Sequence, residues 1–174
     1  GTAHRGSFPV GNPPTGQNYT VAPTEVTPGY GWSIRNTATS TNQTGPNKDN
    51  TTGFGKFIYT EADQGSSNDL TQFITPCIDI GNASCAGLEF YYHMFGNHVN
   101  LLRVDVDTGD ATPQWVNNIW KQNGPVQSNS SDAYQRAFVD LKQFAGKIIR
   151  IRFIGKRGNG VRGDVAIDDI RIYE

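Results

Sequence analysis

The chain has 174 residues, enough for one domain with a complete hydrophobic core, and a formal net charge of −1 at pH 7. This balance gives no overall attraction to nucleic acid or to an anionic membrane, and no apolar run reaches the roughly 20 residues that cross a bilayer. Hydrophobic residues make up 36% and charged residues 18%, and the 20 glycines suit many turns between short strands.

The predicted elements are short strands separated by turn-forming clusters. Residues 1–31 are rich in proline and show no clear periodicity, which predicts an irregular N-terminal part of the domain. A long polar loop follows over 32–52, and loops of this length in compact domains are usually functional or held by a metal ion. Strands are predicted at 55–62, 70–75, 78–80, 88–95, 101–106, 115–122, 137–141, 147–154 and 164–173. No segment shows helical periodicity, so the pattern predicts an all-β sandwich formed by the single domain 1–174.

The strands at 88–95 and 101–106 are predicted to form one hairpin, because the Gly-Asn pair between them favours a tight turn. Side chains alternate between the faces of a strand, so one face of this hairpin is apolar and suited to a core. That apolar face consists of Phe90, Tyr92, Met94, Leu102, Val104 and Val106. The opposite face carries Tyr91, His93 and Arg103 and must meet water, a partner or a polar network.

The chain has two cysteines, Cys77 and Cys85, which frame a short loop. A disulfide between them is one interpretation and two unpaired thiols are the other. A disulfide would suit an oxidising compartment.

A series of segments in a fixed order covers residues 32–172. They are Trp32, Thr44-Gly45-Pro46, Asp49 with Thr51-Thr52-Gly53, Tyr59-Thr60-Glu61-Ala62, the run LEFYYHMFG from Leu88, Trp120, and the run GDVAIDDI from Gly163. Together they resemble the MAM domain, the extracellular module of meprins, neuropilins and receptor tyrosine phosphatases. The resemblance implies a jelly-roll β-sandwich of two antiparallel sheets, secreted or at the cell surface, with a non-catalytic role in adhesion or recognition. It also implies that Trp32 and Trp120 lie in the core, whereas Trp115 is off the pattern and predicted to be exposed.

The N-terminal end departs from the family pattern. Residues 28–31 stand where the family has an acidic run, and the family's N-terminal Phe-Glu and cysteine pair are missing. Bacterial versions resemble accessory modules of secreted enzymes and adhesins. Without the vertebrate cysteine framework, a bacterial version is favoured here.

The titratable residues do not form a recognisable catalytic motif. The chain has three histidines and contains no nucleophile elbow, zinc-protease motif or phosphate-binding loop. A triad of His93, Asp105 and a serine would need a geometry that nothing in the sequence imposes. A half-buried strand histidine with a hydrogen bond is the competing interpretation, and we predict no enzymatic activity.

Two adjacent aspartates, Asp168 and Asp169, follow an apolar strand segment. One of them must point inward or sideways, where a buried carboxylate needs a cation or hydrogen-bond donors. Asp49 closes the long polar loop and could meet them, supplying the oxygen ligands that Ca²⁺ prefers. The sequence therefore predicts a structural calcium site at Asp49, Asp168 and Asp169. The alternative is that Asp168 accepts hydrogen bonds from backbone N–H groups without a metal.

Aromatic and guanidinium side chains are predicted to share one polar face if their strands belong to the same sheet. Arginine binds sulfate or carboxylate through two hydrogen bonds, and aromatic rings pack on sugars. The predicted ligand-binding residues are Tyr91, His93, Arg103, Trp115, Arg150, Arg152 and Arg171. The competing interpretation is a solvated face of arginine–aspartate pairs.

These features predict a carbohydrate-binding accessory module of a secreted bacterial enzyme. Its predicted partner is an anionic polysaccharide that carries sulfate groups or uronic acids. The alternative is an adhesion module that binds another protein or itself. Neither function involves nucleic acid or insertion into a membrane.

Overall fold

The computed structural model describes residues 29–82, 85–108 and 112–173. In these residues the chain forms ten β-strands and two short 3-10 helices, Ala62–Gln64 and Lys142–Phe144. The strands are β1 Trp32–Arg35, β2 Phe57–Thr60, β3 Leu70–Ile74, β4 Ile78–Asp79, β5 Gly87–His93, β6 Val99–Asp107, β7 Trp115–Asn123, β8 Gln135–Asp140, β9 Ile148–Arg157 and β10 Val165–Tyr173. The irregular segment predicted for 1–31 lies, up to residue 28, outside the described residues.

The strands form two antiparallel sheets that pack face to face as a jelly-roll β-sandwich. Sheet A has the order β1-β2-β10-β5-β8, and sheet B has the order β3-β9-β6-β7 with the short β4 beside β9. The predicted all-β sandwich of two antiparallel sheets is confirmed. The part of the chain described here contains no helix with the length and apolarity needed to cross a membrane.

The core between the sheets is built from the inward side chains that strand alternation predicts. Phe90 of β5 packs edge-to-face on Phe153 of β9 and on Trp120 of β7, with ring centroids 5.1 and 5.0 Å apart. Such aromatic pairs contribute about 0.5–1.5 kcal/mol each beyond the burial of their surface. Val104 of β6 is fully buried in the same cluster, and Trp32 packs against that cluster.

The predicted hairpin at 88–106 is wrong, because β5 and β6 lie in opposite sheets. β5 pairs with β10 and β8, which places Tyr92 opposite Ile167, whereas β6 pairs with β9 and β7. Residues 94–98 therefore cross from sheet A to sheet B. Both strands still turn their apolar faces inward, so the alternation is the same whether two strands pair side by side or pack face to face.

The predicted polar loop over 32–52 begins as a strand and continues across sheet A. Its first residues form β1, which pairs with β2. A second hydrophobic cluster lies on the outer face of this sheet and consists of Phe57, Tyr59, Tyr134 and Ala166. The Tyr134 hydroxyl donates a hydrogen bond of 3.1 Å to the Lys48 carbonyl, which anchors the loop over the cluster.

Candidate functional site

The outer face of sheet B carries a cluster of arginine, aspartate and tryptophan side chains. The strand register places Asp105 of β6 opposite Arg152 of β9, and Asp107 opposite both Arg150 of β9 and Trp115 of β7. Directly paired residues of antiparallel strands point to the same face, so these side chains meet. The predicted ligand residues on this face are Arg103, Trp115, Arg150 and Arg152.

Arg152 lies at the centre of this cluster and is only 1% exposed. Its Nε donates to Oδ2 of Asp105 at 2.9 Å, and its Nη2 donates to Oδ1 of Asn117 at 3.1 Å. The Trp115 ring stacks on the guanidinium, with 4.1 Å from Cζ to the ring centroid. Arg152 therefore lies on the outer face of its strand, but its charged end is held in a buried ion pair against Trp115.

Arg103 and Arg150 are partly exposed on either side of Arg152. Arg103 Nε donates to Asp105 at 3.2 Å, and Arg150 Nε donates to Asp107 at 3.0 Å. Both aspartates are fully buried, whereas the two arginine side chains are 18% and 26% exposed. These contacts are the arginine–aspartate pairs of the competing interpretation, and they neutralise part of the charge within the sheet.

Two lysines extend the positive charge of sheet B beyond these pairs. Lys121 of β7 lies opposite Arg103 and is exposed, while Lys156 of β9 lies opposite Leu101 and is partly exposed. We call the set Arg103, Asp105, Asp107, Lys121, Arg150, Arg152 and Lys156 the cationic face. Its five basic and two acidic side chains leave an excess of positive charge beside Trp115.

The other predicted ligand residues, Tyr91, His93 and Arg171, lie on the outer face of sheet A, so the condition that all these strands share one sheet is not met. Their strands, β5 and β10, pair with each other and not with β6 or β9. His93 is fully buried beside Tyr134, with ring centroids 5.2 Å apart. Burial lowers the pKa of His93 to about 4, so near neutral pH it is an uncharged buried ring that no ligand can touch.

Arg171 belongs to a network around Glu89 that the sequence analysis missed. Glu89 is 3% exposed; it accepts hydrogen bonds from Arg136 Nε at 2.8 Å and from the Tyr173 hydroxyl at 3.1 Å. Arg171 Nη1 lies 3.8 Å from the same carboxylate. Glu89 stands out as a charge within an aromatic strand, and that was a usable signal for a buried ion pair. Its partners come from β8 and β10, which local pattern does not reveal.

The predicted metal ligands lie where the polar loop meets β10. Asp49 accepts hydrogen bonds of 2.9 Å from the N–H groups of Thr52 and Gly55. Burial opposes its ionisation, but these hydrogen bonds outweigh that effect and lower the pKa of Asp49. Asp168 accepts a hydrogen bond of 2.9 Å from the Asn50 N–H, and burial still raises the pKa of Asp168 to about 6.

Asp169 holds the same loop through side-chain donors. Asn50 Nδ2 donates to it at 2.8 Å, and the Thr51 hydroxyl donates to the same oxygen. Over the described ranges, no group of three or more acidic, histidine or cysteine side chains is arranged to hold a metal ion. N–H and O–H donors of the loop thus contact all three carboxylates. Asp168 bonds to a backbone N–H, as in the alternative that the sequence left open.

The predicted disulfide is not formed in this structure, where Cys77 and Cys85 are free and exposed. Cys77 precedes β4, which pairs with β9 of sheet B, and Cys85 precedes β5 of sheet A. The two thiols are unpaired, which is the other interpretation that the sequence left open.

A buried carboxyl pair, Glu61 and Asp164, is a second feature that the sequence analysis missed. Asp164 is fully buried and accepts a hydrogen bond of 2.9 Å from the Ala62 N–H. Glu61 is 2% exposed and accepts hydrogen bonds from the hydroxyls of Thr41 at 3.1 Å and Tyr59 at 3.3 Å. Burial raises the pKa of Asp164 to about 7; the Ala62 hydrogen bond opposes this shift and the Glu61 charge adds to it.

Comparison with known proteins agrees with this architecture. The family model of the MAM domain, meprin/A5/mu, matches residues 23–174. The chain is 30% identical over 156 residues to Neuropilin-1a of Danio rerio, covering 84% of this chain and 15% of that protein. It is 31% identical over 141 residues to human Neuropilin-1, covering 81% of this chain and 14% of that protein.

Solved structures show the same fold at low identity. The K1 cleaved adhesin domain of Lys-gingipain from Porphyromonas gingivalis W83 superposes with a TM-score of 0.59 and 15% identity, covering 83% of this chain and 84% of that chain. A carbohydrate-binding module of the β-sandwich superfamily gives a TM-score of 0.51 and 10% identity, covering 84% of this chain and 57% of that chain. The chain spans only about one seventh of the two neuropilins. Because the family model covers nearly all of it, the chain belongs to the MAM domain family.

Proposed function

We propose that this MAM domain is a non-catalytic extracellular recognition module that binds an anionic polysaccharide across the cationic face. The observation that carries the proposal is the excess of five basic over two acidic side chains on the outer surface of β9, β6 and β7. Sulfate and carboxylate groups match the donors of arginine and lysine. The partly buried Trp115 ring and the exposed Asn117 amide border this charge and offer a flat surface and hydrogen bonds to sugars.

Only the exposed part of the cationic face can contact a polymer. Lys121 is exposed and has no ion-pair partner within the described ranges, so its charge is free for a ligand. Arg150 keeps a quarter of its side chain in solvent while it bonds to Asp107. Arg152 contributes positive charge from below the surface without touching the ligand. The fold of a solved carbohydrate-binding module is compatible with this role, but the charge distribution carries the argument.

Affinity gel electrophoresis tests the proposal with dextran sulfate, polygalacturonate and neutral dextran in the gel. We expect the two polyanions to retard the domain, neutral dextran to leave it unretarded, and added salt to weaken the effect, because exposed charges are screened. Lys121→Ala should weaken polyanion binding about two- to fivefold, as expected for one exposed charge pair. Lys142→Ala, which removes an exposed lysine from a 3-10 helix, is the matched control. Equal retardation by neutral dextran would exclude the anionic specificity.

Adhesion to a protein, including a second copy of the chain, is the second candidate function. Phe138 on the edge strand β8 is 57% exposed, and Ile148 at the start of β9 is 54% exposed. An exposed apolar side chain on an edge strand, such as Phe138, can form part of a protein interface. Concentration-dependent dimerisation in sedimentation velocity, abolished by Phe138→Ser, would favour this function over polysaccharide binding.

The proposed setting is an accessory domain of a secreted bacterial enzyme. The support for this setting is that the chain has two cysteines in 174 residues and lacks the cysteine framework of the vertebrate family members. The relatives described above are vertebrate proteins, and the bacterial origin stays a prediction.

Calcium at Asp49, Asp168 and Asp169 also stays a proposal, and its support is the meeting of three carboxylates at one loop. Binding would require the loop to exchange its hydrogen bonds to these carboxylates for metal–oxygen contacts. If calcium binds, chelation with EDTA should lower the melting temperature and millimolar calcium should restore it, because a ligand of the folded state stabilises that state. A melting temperature that is the same in EDTA and in calcium would exclude the site.

A further inference from the structure

Three loops meet at one end of the sandwich and are joined by hydrogen bonds. The Phe95 carbonyl accepts hydrogen bonds of 2.9 Å from the Gly45 N–H and from the Thr44 hydroxyl. On the other side, the His98 N–H donates to the Arg162 carbonyl at 2.9 Å. The polar loop after β1, the crossing between β5 and β6, and the loop before β10 therefore form one connected unit.

These loops enclose a shallow depression lined by Gln43, Phe95, Asn97 and Arg162. Phe95 is partly buried, and the other three side chains are exposed. Within the described part of the chain, the two carboxamides and the Arg162 guanidinium have no hydrogen-bond or ion-pair partner. The depression thus combines one unpaired cation and two unpaired amides with an aromatic ring.

The backbone that carries these groups is held in conformations with few alternatives. Gly96 has φ 131, and a Cβ atom there would overlap the Arg162 carbonyl oxygen and lie 2.7 Å from the Thr44 hydroxyl. Gln43 has φ 64, a left-handed conformation that side-chain-bearing residues adopt at a cost of about 1–3 kcal/mol. Such strain is concentrated at binding sites, where a fixed side-chain direction is useful.

We infer that this end depression binds a single carboxylate-bearing sugar residue, such as a uronic acid. The Arg162 fork matches a carboxylate, and the amides of Gln43 and Asn97 each offer both a donor and an acceptor, as neighbouring sugar hydroxyls require. The Phe95 ring can pack on the C–H face of the sugar. The inference shares its class of ligand with the proposed function, but the site is separate from the cationic face and recognises one sugar residue through shape and hydrogen bonds.

A titration of the ¹⁵N-labelled 174-residue chain with methyl α-D-galacturonoside, monitored by ¹H–¹⁵N spectra, tests the inference. We expect chemical-shift changes at the backbone N–H groups of residues 43–45, 95–98 and 162–163 and at the side-chain amides of Gln43 and Asn97. Arg162→Gln should weaken this binding about tenfold or more, since a charged hydrogen-bonding partner is lost. Methyl α-D-galactoside, which lacks the carboxylate, should bind at least about tenfold more weakly to the unaltered protein for the same reason.

Lys121→Ala separates this inference from the proposed function. It should leave binding of the monosaccharide unchanged while it weakens retardation by polygalacturonate. Shift changes that map to β6, β7 and β9, or an Arg162→Gln variant with unaltered affinity, would overturn the end-depression site while leaving the cationic face intact. Equal binding of the neutral galactoside would overturn the acidic class of ligand. If the unaltered protein binds the monosaccharide but is not retarded by either polyanion, only the proposed function is overturned.

Discussion

Replacing Arg152 with alanine is expected to destabilise the domain by about 3 kcal/mol, the low end of the cost of breaking a buried ion pair. The loss follows because Asp105 is fully buried and would keep a charge without Arg152, which lies nearer to it than Arg103 does. Arg103 remains bonded to the same oxygen at 3.2 Å, which limits the cost. The contacts of Arg152 with Asn117 and with the Trp115 ring would be lost as well.

Urea denaturation of the Arg152→Ala variant measures this effect directly. The double variant Arg152→Met with Asp105→Leu should recover much of the loss, because it removes both charges and fills the space with apolar atoms. Arg171→Ala is the matched control: this side chain is 54% exposed and contacts carboxylates only at 3.8 and 4.0 Å, so a change below about 1 kcal/mol is expected. An Arg152→Ala variant of unchanged stability that fails to bind polyanions would show that Arg152 touches the ligand.

Replacing Asp164 with asparagine is expected to stabilise the domain at pH 8 by on the order of 4 kcal/mol, the free energy that a pKa rise of this size represents. Burial and the neighbouring Glu61 raise the pKa of Asp164 from its ordinary value of 3.8 to about 7. At pH 8 the native protein therefore carries an unfavourable buried charge, which the neutral amide removes. The asparagine oxygen can still accept the hydrogen bond from the Ala62 N–H.

The same variant should change the pH dependence of stability in a defined direction. Between about pH 4 and pH 7 the folded state binds more protons at Asp164 than the unfolded state, so its contribution to stability is complete at low pH and lost as pH rises through 7. His93 acts in the opposite direction. Burial lowers its pKa from 6.5 to about 4, so its contribution is present above pH 6.5 and lost as pH falls through 4. Asp168, with a pKa raised to about 6 by burial, acts in the same direction as Asp164.

Urea denaturation at intervals from pH 4 to pH 8 gives the profiles of both proteins. We expect the difference in stability between Asp164→Asn and the native protein to be small at pH 4, to grow between pH 4 and pH 7, and to level off above pH 7. Asp63→Asn removes an exposed carboxylate from a 3-10 helix and is the matched control. A constant difference for Asp164→Asn would mean that Asp164 titrates in the folded protein as it does in the unfolded chain.

The predicted site depended on which strands share a sheet. Arg103, Arg150 and Arg152 alternate correctly with their apolar neighbours, and the structure places them on the outer face of sheet B as that alternation requires. Tyr91 and His93 alternate equally well but belong to sheet A, where β8 and β10 are their neighbours. No local pattern distinguishes these two cases, because the pairing energy of a strand comes from residues far away in the sequence.

The end depression was outside the reach of sequence reasoning for a related reason. Gln43, Phe95, Asn97 and Arg162 come from three loops, and each of these residues is ordinary in its own segment. The glycine at position 96 was recognised as turn chemistry, but its role is to let the crossing chain touch the loop of Arg162. Only the folded chain shows that the side chains of the four lining residues converge.

Residue order alone was sufficient for the strand-rich fold class, for the inward positions of Phe90, Val104 and Val106, and for the family. These follow from period-two alternation and from motifs in series, and both are local properties of the chain. The folded arrangement settled the sheet to which each strand belongs and the burial of Arg152 and His93. Those properties depend on the register between distant strands, because a side chain that points away from the core is buried only when another part of the molecule covers it.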